Sequence, residues 1–144
     1  MNGKITDDVY SIAWLLTNWA IHRYDLHTTG EVFIAITIIM LDRSGHSPTV
    51  SELAKITGIP KTTVSRHLGK QLAEGYVKEC IDPIDRRRRL LKPTLKATKE
   101  RQWQIKGLRN FNCQLQKIDQ NRRQSNDSEK RLLEILLKAT SDII

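Results

Sequence analysis

Two short runs with strand composition, YVKECI at 76–81 and RRLLKP at 88–93, flank the turn-rich stretch DPIDRR at 82–87. This spacing predicts a β-hairpin with a charged tip. The rest of the chain points to helix, because its 144 residues include only 7 glycines and 4 prolines, and the aromatics are few. The tip raises a question of its own. Four adjacent guanidiniums, Arg86 to Arg89, repel one another, so the run is either a solvated loop of no consequence or a surface that meets an anion.

Two helices are predicted just before the hairpin. Thr49-Val-Ser-Glu52 reads as a capping box opening the helix TVSELAKIT, which Gly58 ends. A second helix is expected from Lys61 to Glu74, with Gly75 as its left-handed stop. In it Val64, Leu68 and Leu72 lie four apart and predict one buried stripe. Lys61, Thr62, Thr63, Ser65, Arg66, His67 and Lys70 fall on the remaining surface. Hydroxyls can reach phosphates or base edges, arginine matches the paired acceptors of guanine, and lysine suits phosphate. The helix N-terminus adds partial positive charge. For His67 the competing reading is a ring that packs beside the stripe.

Charge follows the same map. The net charge is +8, yet residues 1–60 carry −2, residues 61–99 carry 11 basic and 4 acidic side chains, and residues 100–144 carry +3. The excess is local and predicts a polyanionic partner, nucleic acid ahead of an anionic membrane surface. The longest apolar run, VFIAITIIML, is about half a bilayer span. Asp7 and Asp8 stand where a signal peptide needs positive charge, so a cytoplasmic protein is expected.

The flanks read as helices. Val9, Ile12, Leu16, Trp19 and Ala20 recur at helical spacing between Thr6 and Tyr24, and LHTTG breaks that helix. EVFIAITIIMLD has β-branched residues but no alternation, and is read as a helix buried on nearly all sides. Thr94 is the expected N-cap of a long helix carrying Leu95, Ile105, Leu108, Phe111, Leu115 and Ile118. Asn126 and Glu129 form a capping box before a last helix, whose Leu132, Leu133, Leu136, Leu137, Ile143 and Ile144 make too wide an apolar face for a monomer. With the first helix, it predicts a dimer interface.

Other chemistries find little support. Cys80 and Cys113 stand far apart with no C-x-x-C, so buried inert thiols are expected. His22 and His27 are five apart, off a common helical face, and no metal is predicted. There is no nucleophile–base pairing and no phosphate-cradling glycine loop, so neither an enzyme nor a cofactor is expected.

The order helix, turn, helix, hairpin over 49–94 is that of a winged helix-turn-helix. The stretches VSELAKITGI, KTTVSRHLGK and EGYVKECIDPIDRRRRLLKPTLKA resemble the MarR family of bacterial transcription regulators over residues 49–97. The D-P-x-D-R-R wing, its leucine-rich strand and Thr94 are the specific part. The fold expected is mostly α with a small β-hairpin wing, a winged helix-turn-helix domain flanked by N- and C-terminal dimerisation helices. Within a single domain of 1–144, residues 1–30 and 100–144 would supply dimerisation helices, and 31–99 the DNA-binding region.

The function implied is a sequence-specific, double-stranded DNA-binding transcription regulator, a homodimeric repressor of a pseudo-palindromic operator released by a small-molecule effector. The alternative is a winged-helix module for an acidic protein partner. By position, Thr62, Thr63, Ser65 and Arg66 would face the major groove and Arg87 the minor groove, with Asp85 bracing the wing. Arg86, Arg88 and Arg89 would be divided between phosphate and the two faces of the hairpin. Trp14, Trp19 and Trp103 are either core and interface anchors or residues lining a pocket for an aromatic ligand at the dimer interface, with Trp14 and Trp19 the foremost candidates. Pro60 stands where the family caps this helix with serine, Gln71 where it has an apolar residue, and Ala97 where it has glycine.

Overall fold

The computed structural model describes residues 9–121 and 128–143. Its elements are α1 (Val9–His22), α2 (Thr29–Arg43), α3 (Val50–Thr57), α4 (Lys61–Ala73), β1 (Val77–Ile81), β2 (Arg89–Pro93), α5 (Leu95–Asn121) and α6 (Ser128–Ser141). They fall into two compact units, residues 1–26 with 103–144, and residues 27–102. Thr6, Asn126 and Ile144 lie outside the described residues. No helix among the described residues is long and apolar enough to cross a membrane.

Unit 27–102 is held by one apolar cluster. Ile34 and Ile38 of α2 meet Leu53 of α3, Val64 and Leu68 of α4, Val77 of β1 and Leu91 of β2, all buried. Local chemistry sets where each element starts and stops. The Thr49 hydroxyl accepts from the Glu52 N–H, and Gly58 ends α3 in the left-handed region at φ 72°. Pro60 precedes α4 without a side-chain cap. At its other end the N–H groups of Gly75 (φ 79°) and Tyr76 donate back to the carbonyls of Leu72 and Gln71.

That reversal launches the hairpin. β1 and β2 pair antiparallel in the register Val77↔Pro93, Glu79↔Leu91 and Ile81↔Arg89. Thr94 closes the root, donating its hydroxyl to the Gly75 carbonyl and accepting from the Ala97 N–H at the start of α5. The Leu91 N–H donates to the Pro48 carbonyl at 2.8 Å, tying β2 to the segment before α3.

Two expectations for this unit need correction. On α4 the buried positions are Val64, Leu68 and Gln71, while Leu72 is half-buried. The stripe turns by one residue because steps of four and three together track a period of 3.6. Gln71 Nε2 is buried with no hydrogen-bond partner. On α2 one face alone is buried, and Phe33, Ile36, Ile39 and Met40 remain exposed, Met40 at 65%. The neighbouring elements of the unit cover only the side that carries Ile34, Thr37 and Ile38.

In unit 1–26 with 103–144, Leu15 and Trp19 of α1 pack with Phe111 and Leu115 of α5, and Leu132, Ile135, Leu136 and Ala139 of α6 close over them. Trp14 stacks on Phe111 with centroids 5.7 Å apart, and Trp19 meets Trp103 at 5.0 Å. Asn18, buried, donates to the Thr140 hydroxyl. Val9, Ile12 and Leu16 of α1 and Leu133 and Leu137 of α6 stay exposed. Of the apolar residues assigned to α5, Phe111, Leu115 and Ile118 are buried, whereas Leu95, Ile105 and Leu108 are exposed. Cys113 is exposed and Cys80 half-buried, contrary to the expectation of two buried thiols. Position 113 points away from the face that buries 111, 115 and 118.

Candidate nucleic-acid interface

Burying Val64, Leu68 and Gln71 turns the opposite face of α4 outward. Lys61, Thr62, Ser65 and Arg66 are exposed there together, with Gly69 continuing the face, and apart from the backbone of its own helix nothing lies within 4 Å of where a Cβ would stand on it. This face offers two cations, two hydroxyls and a bare stretch of helix, all within little more than two turns.

Thr63, His67 and Lys70 are not brought into that set. They are half-buried along the side of α4. The His67 ring packs beside α2, with Nδ1 3.6 Å from Glu31 Oε1 and Nε2 3.3 Å from where a Cβ on Gly30 would lie. Glu31 is itself fixed, because its Oε2 accepts from the His27 N–H at 2.8 Å. The His67 ring thus lies between α4 and the start of α2.

The hairpin tip is a small set of interlocking turns. The Asp82 N–H donates to the Arg88 carbonyl at 3.0 Å, and the Arg88 N–H donates to the Asp85 carbonyl at 2.9 Å. Asp82 Oδ1 accepts from the Ile84 N–H, and Asp85 Oδ1 from the Arg87 N–H at 3.1 Å. Asp85 thus holds the turn through its backbone bond.

The four arginines are not equivalent. Arg86 and Arg87 are exposed, and no carboxylate among the described residues lies within ion-pair distance of either. Arg89 reaches diagonally across the strands to Glu79 at 3.9 Å. Arg88 turns inward to Glu52 at 2.5 Å and to Asp82 at 3.5 Å. Glu52 also meets His46 Nε2 at 2.8 Å. The His46 hydrogen bond is the main reason its carboxyl sits below the ordinary 4.5, and the Thr49 backbone bond and the charges of His46 and Arg88 add to this against the opposing effect of burial.

Sequence reasoning missed His46, Glu52 and Asp82 as parts of the site. Glu52 was legible only as a cap, and Asp82 only as a turn residue. Trp14 and Trp19, read as candidates for an effector pocket, are packed into the aromatic core of their unit. No group of three or more metal-ligating side chains occurs among the described residues.

Residues 35–88 match the family model described as the MarR family. Among solved structures, a variant of S. aureus MepR bound to an oligodeoxyribonucleotide is 14% identical with a TM-score of 0.58, covering 94% of this chain and 91% of that one. The transcriptional regulator Tm0710 from Thermotoga maritima is 20% identical with a TM-score of 0.56, over 92% and 87% of the two chains. A mutant MarR from E. coli complexed with operator DNA is 20% identical with a TM-score of 0.50, over 90% and 84%. At these identities the likeness is one of fold. No curated protein matches the chain.

Proposed function

Residues 35–88 match the MarR family, and on that match we propose that the chain is a homodimeric, sequence-specific repressor of the MarR type that binds a pseudo-palindromic operator in double-stranded DNA. One observation carries the reading. An outward face of α4 bearing Lys61, Thr62, Ser65 and Arg66 and a hairpin tip with free Arg86 and Arg87 are built on one apolar core. A helix face of this kind suits the major groove, and a protruding arginine suits the adjacent minor groove, where narrow A·T-rich stretches concentrate negative potential. Charge repulsion among the arginines at the tip then has a purpose, since phosphates relieve it.

The dimer is supported by the exposed apolar residues of α1 and α6, Val9, Ile12, Leu16, Leu133 and Leu137, which a monomer leaves in water. Two-fold docking places half-sites about one helical turn apart. Occupying such a site excludes other proteins from the promoter. Release by a small aromatic ligand gains no support from Trp14 and Trp19, which are packed with other core side chains.

Selection of bound duplexes from a random pool tests the proposal. The expected winner is an inverted repeat, bound at least about 10³-fold more tightly than random duplex, with affinity falling steeply as salt rises. Equal affinity for the winner and for random duplex overturns it.

A further inference from the structure

We propose that Glu52 and Arg88 are positioning residues of the DNA interface: Glu52 clamps Arg88, which fixes the tip backbone from which Arg86 and Arg87 project. The inference rests on the reading of that tip as a DNA contact.

Three elements converge on this clamp. His46 follows α2 and is set by its N–H, which donates to the Leu41 carbonyl at 2.9 Å. Its ring holds one oxygen of Glu52, while the other oxygen takes Arg88 NH2. The two links coexist because each uses its own carboxylate oxygen. Glu52 lies in the first turn of α3, whose Thr49 cap restrains its backbone. Arg88, 36 residues further on, is held at three places: its guanidinium by Glu52 and Asp82, its carbonyl by the Asp82 N–H, and its N–H by the Asp85 carbonyl. Asp82 is buried, so this end of the clamp is anchored inside the protein.

The need for a clamp follows from the tip itself. A two-stranded ribbon of five-residue strands has little stability of its own, and four successive arginines push it apart. Pairing one guanidinium with two carboxylates lowers that repulsion and leaves the neighbouring two to face outward. A rigid tip loses less freedom on binding than a loose one, which raises affinity without any added contact. Arg88 therefore acts through Arg86 and Arg87 and is not itself counted among the phosphate contacts.

Simple charge counting gives Glu52→Gln the opposite sign. Removing a negative charge from a DNA-binding protein should tighten duplex binding, whereas loss of the clamp should weaken it. The full chain is tested in two ways. The first is limited trypsin digestion, in which Glu52→Gln keeps every arginine as a cleavage site. Cleavage within 86–89 is expected to speed up about two- to fivefold, the range set by loss of a half-exposed ion pair, with the helical circular dichroism unchanged. The second is duplex affinity against salt for wild type, Glu52→Gln, Arg88→Ala, the double variant, Arg88→Lys and Arg87→Ala.

Glu52→Gln and Arg88→Ala should each weaken binding about two- to fivefold, with the double variant no worse than either and the salt slope kept. Arg88→Lys, still able to reach Glu52, should recover part of the loss. Arg87→Ala should instead lower the slope by about one. Unchanged trypsin cleavage, equal or tighter binding by Glu52→Gln, or a lowered slope for Arg88→Ala overturns the clamp. If the wild type binds no duplex, the proposed function fails, and the trypsin result still judges the clamp.

Discussion

Trp19 lies so close over Gly107 that a Cβ on that glycine would stand 2.9 Å from the indole. The contact joins α1 to the middle of α5, and the indole has little room to retreat because it is buried and meets Trp103 at 5.0 Å. Elsewhere in a helix, Gly→Ala gains up to about 1 kcal/mol. Here overpacking of about 1–3 kcal/mol opposes that gain. Gly107→Ala is therefore expected to destabilise by about 1 kcal/mol net. Gly69→Ala, in α4 with nothing within 4 Å of its would-be Cβ, should stabilise. Urea unfolding of the two variants reads both signs.

Gln71→Met should also stabilise. The amide Nε2 is buried without a partner, and a buried unsatisfied donor costs about 1–3 kcal/mol. Methionine fills a similar volume without that donor and adapts to the surrounding Val64 and Leu68 side of α4. A rise in Tm of a few degrees, about 2–4 °C per kcal/mol for a chain of this length, is the expected result. A fall in Tm would show that the amide contributes packing that methionine cannot reproduce.

Acid should weaken the clamp. The Glu52 carboxyl is held below 4.5 in the folded protein, chiefly by His46. A carboxylate with a depressed folded pKa contributes stability that is fully present above its unfolded pKa and is lost as pH falls through the folded one. Between pH 6 and about pH 3, wild type should therefore lose more stability than Glu52→Gln. Denaturant midpoints measured across that range decide the point, and parallel curves would count against it.

The outward face of α4 should read sequence. Arg66→Ala is expected to cost about 1–3 kcal/mol of operator affinity and to relax preference at one base pair. The salt slope and the selected sequence are measured together, since a phosphate contact would move the first and leave the second.

Leu133→Glu with Leu137→Glu should leave the chain monomeric at micromolar concentration. Both residues are mostly exposed on α6, so the change removes little packing within the chain. Sedimentation would show the shift in mass, and operator affinity should fall with it, because in the proposed dimer each monomer grips one half-site.

The sequence by itself determined the elements and their ends. Gly58 and Gly75 supply the positive φ that stops α3 and α4, Thr49 and Thr94 supply hydroxyls for orphan N–H groups, and DPIDRR with its flanking strands makes a hairpin. Each depends on partners within a few residues, or on one adjacent strand, so composition and spacing suffice. Tertiary structure decided what the elements show to solvent. It turned His67 toward Glu31, left one apolar face of α2 uncovered, buried Gln71, and drew Arg88 out of the arginine run to a glutamate 36 residues away. Those outcomes depend on which chemically equivalent group a folded core brings near. Four identical guanidiniums in a row carry no local mark of which one faces a carboxylate and which one faces water.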